Sequence, residues 1–406
     1  MSEPSHTCIV LQGVLDGRTR RTIDALLEIG KKVSVLQFAP SNASHEDQID
    51  YEIKYLQPRS IEGSTISWRP LRIAENLGPK KLADIILRRR YGALYEDLLY
   101  SELLRIKPDV IHSINVDTLD ASARAAKTLG AYLIYEAYEY WPEHSQEECV
   151  RFDRQQRTAA LTAEQSYLDV ADRVITVSDV LATAYKNSLG LATTPFVVYN
   201  APTVRADSIT GAHDPLKILF LGNLQAERNV MILLEAALQM PDISLTFQGD
   251  GAMRDDILAK IAQSGAENRI FVNEPVEFSE VPNSASKFDV GVIAHTAYNL
   301  QMDGALPNKF FEYMAGGLAI VAPKTSAFST FPNIDDFAYL VDRPNTSSLR
   351  DTLCYLSENK ELVEAMKASS YELSEQYVGD VQKMRIQGMY AEMMQKTPLS
   401  NMERFI

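Results

Sequence analysis

Two short runs carry the side chains best suited to holding a phosphorylated ligand. The first is Phe220 to Asn229, FLGNLQAERN, where an apolar strand-like run ends on a glycine and a cation follows. Gly222 lets backbone approach a ligand, since no side chain stands in the way. Arg228, read as opening a helix, adds a charge-assisted bond where free amides and the helix dipole already favour an anion. The second run is Leu306 to Gly317, LPNKFFEYMAGG. Pro307 suits a first helical turn, Lys309 and Glu312 share one helix face, and Gly316-Gly317 closes the helix. Lys309 and the amides at the helix start can hold phosphate, and Glu312 can accept from ribose hydroxyls. Taken singly, each run is also compatible with a solvated helix.

Other ways of handling phosphate are missing from the sequence. There is no Asp-x-Asp pair, no HExxH, no Walker loop and no GxGxxG after the first strand, and the six histidines show no metal-ligand spacing. Gly249-Asp250-Gly251 follows a strand, but a lone Gly-x-Gly fits a tight β–α turn better than a phosphate cradle. Phosphate charge is therefore expected to be met by side chains and helix dipoles, with no metal site.

The elements that must position these runs alternate regularly. Strands are predicted at Thr7–Gly13, Lys32–Ala39, Asp109–Asn115, Tyr132–Tyr138, Arg173–Ser178 and Phe196–Asn200, apolar along their length as in sheets buried on both faces. Helices are predicted at Arg18–Ile29, Lys80–Arg105, Thr118–Leu129, Pro142–Asp169 and Asp179–Leu189. Asn200–Pro215, with prolines, a glycine and small polar residues, is predicted to be a linker. The rhythm then restarts with strands at Lys217–Asn223, Ile243–Gly249, Ile270–Pro275, Val290–Thr296, Ala319–Pro323 and Ala338–Asp342. Helices are predicted at Arg228–Met240, Ala252–Gln263, Pro307–Ala315 and Thr346–Glu358, and an amphipathic one at Asp380–Gln395. The pattern implies α/β architecture with two Rossmann-like parallel-sheet domains facing a cleft, ligands lying beyond the carboxyl ends of the strands. The boundaries are 1–200, a linker 201–215, a second domain 216–379, and a tail helix 380–406 able to cross back to the first domain.

Composition excludes several classes. The chain has 406 residues, 46% apolar and 23% charged, which is globular rather than disordered or fibrous. Its net charge of −14 argues against a nucleic-acid coat protein. The three cysteines, Cys8, Cys149 and Cys354, can form neither a disulfide framework nor a four-ligand zinc site, so a reducing, cytoplasmic setting is expected. No secretory signal is visible at the start, and no apolar run approaches the ~20 residues of a membrane span. Charge is uneven: residues 1–100 carry 14 basic and 13 acidic side chains, leaving 26 against 41 beyond them. Within that first part, Trp68, Arg69, Arg72, Lys80, Lys81, Arg88, Arg89 and Arg90 face only Glu75 and Asp84 in the same stretch. Such a basic, aromatic-bearing stretch suits peripheral contact with an anionic membrane, or the solvated face of a long helix.

Together the two runs resemble group 1, family 4-like glycosyltransferases of the GT-B architecture, whose late helix has the form PNKxxEYMAxGxP. Pro108-Asp109-Val110-Ile111-His112 and Tyr135 to Glu143 (YEAYEYWPE) resemble acceptor-side segments of that family, and Gly13 to Arg21 resembles its first β–α loop. The resemblance spans residues 7 to about 395. It implies a retaining transferase using a nucleotide-diphosphate sugar, most simply UDP- or GDP-linked, with no further cofactor. The acceptor would be a glycan, a lipid-linked saccharide or a small molecule, as in polysaccharide biosynthesis. On this basis the donor would be held by Gly13, Gly222, Asn223, Arg228, Leu306, Pro307, Asn308, Lys309 and Glu312. Asp303, Tyr138, Glu139 and His112 would supply the catalytic and acceptor-side groups, and the nucleobase would lie near Val272–Val276.

Five positions depart from the family pattern, one of them Ala319, where a proline usually follows the helix-ending glycine. Asn223 replaces an arginine, Arg228 a lysine, Tyr138 a histidine, and Gly304 the first of two paired glutamates, with Asp303 beside it. These departures keep a second reading open, a catalytically weak or inactive GT-B subunit that binds glycan or supports a partner. A GT-B nucleotide-sugar epimerase is a third.

Overall fold

The computed structural model describes residues 6–12, 15–38, 52–55, 96–141, 161–162, 164–168 and 170–395. They divide into two units, the first drawn from Met1–Thr176, Ala182–Val197 and Ile386–Ile406, the second from Val177–Leu181 and Val198–Arg385.

The first unit is built on β1 (His6–Gln12), β2 (Lys32–Phe38), β3 (Glu52–Tyr55), β4 (Val110–Ile114), β5 (Tyr132–Glu136), β6 (Arg173–Thr176) and β7 (Phe196–Val197). Their order is β3-β2-β1-β4-β5-β6-β7, every pairing parallel. All five side chains of β4 and of β5 are buried, as the unbroken apolar runs require. Helix α1 (Gly17–Glu28) follows β1; Asp16 caps it, its Oδ1 accepting from Thr19 N at 2.7 Å.

The second unit repeats the plan. Strands β8 (Leu216–Leu221), β9 (Ile243–Gln248), β10 (Ile270–Asn273), β11 (Val290–Val292), β12 (Ala319–Pro323) and β13 (Ala338–Val341) lie in the order β10-β9-β8-β11-β12-β13, all parallel. In each sheet the strand order reverses between the first and fourth strands, β1 and β4 or β8 and β11. That switch point is where doubly wound sheets bind ligands. The core gathers Ile218, Phe220, Leu245, Phe247, Val290 and Val321 with Leu233 and Leu234 of α2 (Val230–Leu238). Helix α3 (Leu300–Gly304) is a single turn, and α4 (Asn308–Gly316) leads to β12. Phe310 and Phe311 of α4 pack edge-to-face with Phe331, at 4.9 and 6.1 Å between ring centres. Helix α5 (Lys360–Ser374) covers the sheet, and Lys367 on it bonds buried Asp289 at 3.0 Å.

The last helix, α6 (Gly379–Met394), contributes residues from 386 onward to the first unit. There Gln387 Nε2 donates to Ala25 O at 2.9 Å. Among the described residues no helix is long and apolar enough to cross a membrane.

Several elements differ from expectation. The helix predicted at Arg228–Met240 is a 3-10 turn, Ala226–Arg228, followed by α2, because Asn229 between them adopts a left-handed backbone at φ 55°. The strand predicted to reach Thr296 ends at Val292, since Ala294 and Thr296 bond to the Asn229 side chain instead of a neighbouring strand. β3 and α5 were not foreseen. Helix 96–106 overlaps the end of the predicted Lys80–Arg105 and runs one residue past it, and the earlier predicted residues lie outside the described ones.

Candidate active site

The second unit's site is assembled at its switch point, where β8 ends at Leu221 and Gly222 follows at φ 100°. Lys309 Nζ lies 3.8 Å from where a Cβ on Gly222 would stand, and it is the positive φ rather than lack of room that disfavours a side chain there. The loop is fixed from the side by the Gly249–Gly251 turn. Leu224 N donates to Asp250 O at 2.8 Å, and a Cβ on Gly251 would come within 2.6 Å of Asn223 Oδ1. The Gly-x-Gly pair thus packs backbone against backbone, beside Asn223.

Tyr313 ties α4 to the same two strand ends. Its hydroxyl accepts from Leu221 N at 2.9 Å and lies 3.2 Å from Val292 O and 3.3 Å from Leu219 O. Its ring fills the space a side chain on Gly291 would take. Anchored this way, α4 presents Lys309 and Glu312 beside Gly222 and Arg228. Pro307 precedes the helix and no side chain caps its first amides. Asn308 bonds Asn200 through its side chain, and Leu306 is buried below.

Lys309 Nζ lies 3.8 Å from the Phe220 ring centre. Neither Lys309, Glu312 nor Arg228 forms an ion pair among the described residues within 4.0 Å. Burial, reinforced by Arg228 and opposed by Glu312, pulls Lys309 down to about 7. Burial pushes Glu312 up to about 7, with Lys309 opposing. The structure therefore brings Gly222, Asn223, Arg228, Lys309 and Glu312 together around cations that lack a fixed counter-ion, a surrounding suited to an anionic ligand. Among the described residues no three His, Cys, Asp or Glu side chains are placed to share a metal ion.

Asp303 and Gly304 have other engagements. Asp303 Oδ1 accepts from Ser326 N at 2.9 Å. Gly304 O accepts from Ser178, and a Cβ on Gly304 would meet Leu181 Cδ2 at 2.6 Å. A glutamate is therefore not simply missing at 304; Leu181 occupies its path.

In the first unit, His112 is not on an open surface. Its Nε2 lies 2.9 Å from Glu136 Oε2 and its Nδ1 2.8 Å from Tyr390 Oη, with the ring wholly buried. Glu136 also receives Arg18 Nε at 2.5 Å. Burial works to raise the Glu136 carboxyl, but Arg18 and His112 hold it down to about 2. Tyr138 Oη lies 3.2 Å from Thr19 Oγ1, and burial keeps its hydroxyl well above the usual tyrosine range, hence neutral. The side chain expected on the acceptor side therefore points into the first turn of α1. Glu139 is exposed, and its backbone oxygen accepts from Tyr185 at 2.8 Å. Sequence reasoning missed Arg18, Glu136 and Tyr390, which only the fold brings to His112, and also missed Asn229 and Tyr313.

Gly13 lies outside the described residues, as do Trp68, Arg72, Lys80, Lys81, Arg88, Arg89 and Arg90.

Residues 215–359 match the family described as Glycosyl transferases group 1. No curated protein matches the chain. Among solved structures, a glycosyltransferase from Rickettsia africae superposes at a TM-score of 0.68 and 12% identity, covering 97% of this chain and 99% of that one. HepE of Anabaena, solved with UDP and glucose, gives 0.69 and 15%, over 96% and 100%. Sucrose-phosphate synthase of Thermosynechococcus elongatus gives 0.66 and 14%, over 96% and 99%. At these identities the likeness is one of fold.

Proposed function

We propose that the chain is a group 1 glycosyltransferase, the family whose description matches residues 215–359, and that it transfers a sugar from a nucleotide diphosphate with retention of anomeric configuration. The observation that carries this reading is the set of cations without a fixed counter-ion at the β8–β11 switch point. Lys309, Arg228 and the uncapped start of α4 converge beside Gly222. As the glycosidic bond breaks, negative charge develops on the leaving diphosphate. Lys309 and Arg228 meet it with side-chain charge, and the amides of Asn308 and Lys309 meet it with the helix dipole. Two cations and a dipole match the two charges of a diphosphate diester, so we propose a metal-independent transfer. Glu312 accepts from the ribose hydroxyls, and Leu306 with the Asp303 backbone lines the sugar. Tyr138 and Glu139 belong to the acceptor side, where His112 acts from beneath as a support.

UDP- or GDP-sugars are the proposed donors. HepE, solved with UDP and glucose, favours the uridine form. The proposed acceptor is a glycan, a lipid-linked saccharide or a small molecule, in the cytoplasm and at an anionic membrane that the 68–90 stretch would touch. Flotation on liposomes with and without anionic lipid checks that last point; equal recovery on both would refute it.

A screen of UDP-, GDP-, TDP- and ADP-sugars, read as free nucleotide, tests the donor reading. Turnover of one or two of these is expected. A second reading has its own support: Leu181 bars a glutamate at 304, and Asn223 replaces the family arginine. It describes a weak or inactive subunit. Nucleotide binding in calorimetry with no turnover of any sugar would favour it.

A further inference from the structure

A third basic group stands beside Arg228 and Lys309. His295 lies just beyond β11 at 5% exposure. Asn229, the residue after Arg228, grips the residues on both sides of it, donating its side-chain amide to Ala294 O at 2.8 Å and Thr296 Oγ1 at 3.0 Å. On the far side the ring sits 6.5 Å from Phe328, which brings no charge. From α3 the Met302 backbone favours the protonated ring, while neighbouring Asp303 is turned to Ser326 N. The cations facing it are Arg228 and Lys309, with Glu312 beside Lys309. The grip of Asn229 therefore fixes His295 in register with the Arg228 turn, at the carboxyl end of the strand next to β8.

Resting on the donor reading above, we propose that His295 is a third group for the donor diphosphate, and that donor binding draws a proton onto its ring. Burial, then Arg228 and Lys309, hold His295 down to about 4, so its ring is neutral while it faces cations. A diphosphate placed between them reverses that field, since an anion within a few ångströms favours the charged form. Hydrogen-bond chemistry points the same way. A neutral ring has one donor nitrogen and one lone pair; only the protonated ring donates on both sides. The proton comes from the buffer and no covalent bond changes.

The test is calorimetric titration of the full chain with UDP-glucose in two buffers of different ionisation enthalpy, at pH 6.0 and 7.5, for wild type and His295→Gln. UDP-glucose is a diphosphate diester, free of the terminal phosphate titration near ~6 that would confuse the count. Glutamine keeps a hydrogen-bond donor and cannot take a proton. At pH 6.0 wild type is expected to take up about 0.8 to 0.9 of a proton more than His295→Gln and to bind about five- to tenfold tighter. At pH 7.5, where uptake belongs to Lys309, the two should agree within about twofold. Equal proton counts at pH 6.0 overturn the proposal even if affinity falls, because lost affinity alone marks a structural role. Should the variant not fold, the wild-type His295 ring followed by NMR decides. Its titration midpoint must move up toward neutrality with UDP-glucose, and an unmoved midpoint refutes the proposal. If neither UDP-glucose nor GDP-mannose binds wild type, the donor reading fails and this one with it. Binding without a His295-dependent proton overturns this one alone.

Discussion

The ammonium of Lys309 lies over the ring of Phe220, 3.8 Å from its centre, and close beside Gly222. No carboxylate comes within ion-pair distance of it among the described residues, and burial beside Arg228 has pulled it down to about 7. An ammonium placed this way works against folding and finds compensation in an anionic ligand. Lys309→Met is therefore expected to lower nucleotide-sugar turnover by about 100- to 1000-fold, as for loss of one donor to developing charge. Its melting temperature should stay equal or rise. Melting and free-nucleotide release on the same preparation check both; a variant that melts early and turns over normally would reverse the assignment.

Arg228→Ala and Glu312→Ala are each expected to remove most turnover at sub-saturating donor. The split between kinetic constants should differ: Arg228 meets charge that grows in the transition state, so kcat falls, whereas Glu312 holds ribose in ground and transition states alike, so KM rises. Wild-type rates in both variants would remove both assignments.

Gly304→Glu, which writes in the family's missing carboxylate, is expected to harm rather than help. Its Cβ would meet Leu181 Cδ2 at 2.6 Å, and overpacking of this kind typically costs about 1–3 kcal/mol. Urea midpoints for Gly304→Glu, and for Gly304→Glu with Leu181→Ala, measure it. The double variant should recover part of the loss, and an unchanged midpoint in the single variant would show the site to be open.

Glu136 predicts an acid response. Its folded-state value, about 2, lies below the ordinary 4.5, so the native state binds this proton less readily than the unfolded chain. The stability it supplies is present above the ordinary value and is lost as pH falls from about 4.5 toward 2. That loss is on the order of 3 kcal/mol. Glu136→Gln should be the less stable protein at pH 6, with the gap to wild type narrowing by pH 3; parallel pH curves would contradict the Arg18–Glu136–His112 linkage.

The parts legible in the sequence were those written locally. α4 was predicted at Pro307–Ala315 and is found at Asn308–Gly316, because a proline start, a paired-glycine stop and an apolar face are all near one another in the chain. The strands were legible for the same reason, except β3, whose EIKY mixes charge into a short edge. What escaped depends on partners far away in sequence. His112 meets Tyr390 across 278 residues, and neither residue type announces the other. The left-handed turn at Asn229 becomes intelligible only once its side chain is seen bonded to Ala294 and Thr296. Tyr313 reads as one more core aromatic until its hydroxyl is found at the ends of β8 and β11. Replacing it with phenylalanine leaves Leu221 N unpaired, a loss of about 1–3 kcal/mol.

The most direct measurement is a crystal structure of the chain soaked with UDP-glucose or GDP-mannose. The diphosphate is predicted within hydrogen-bond distance of Lys309 Nζ, the Arg228 guanidinium and the amides at the start of α4, with the ribose hydroxyls on Glu312. Nucleotide seated away from those residues, or none bound at saturating concentration, would contradict the account.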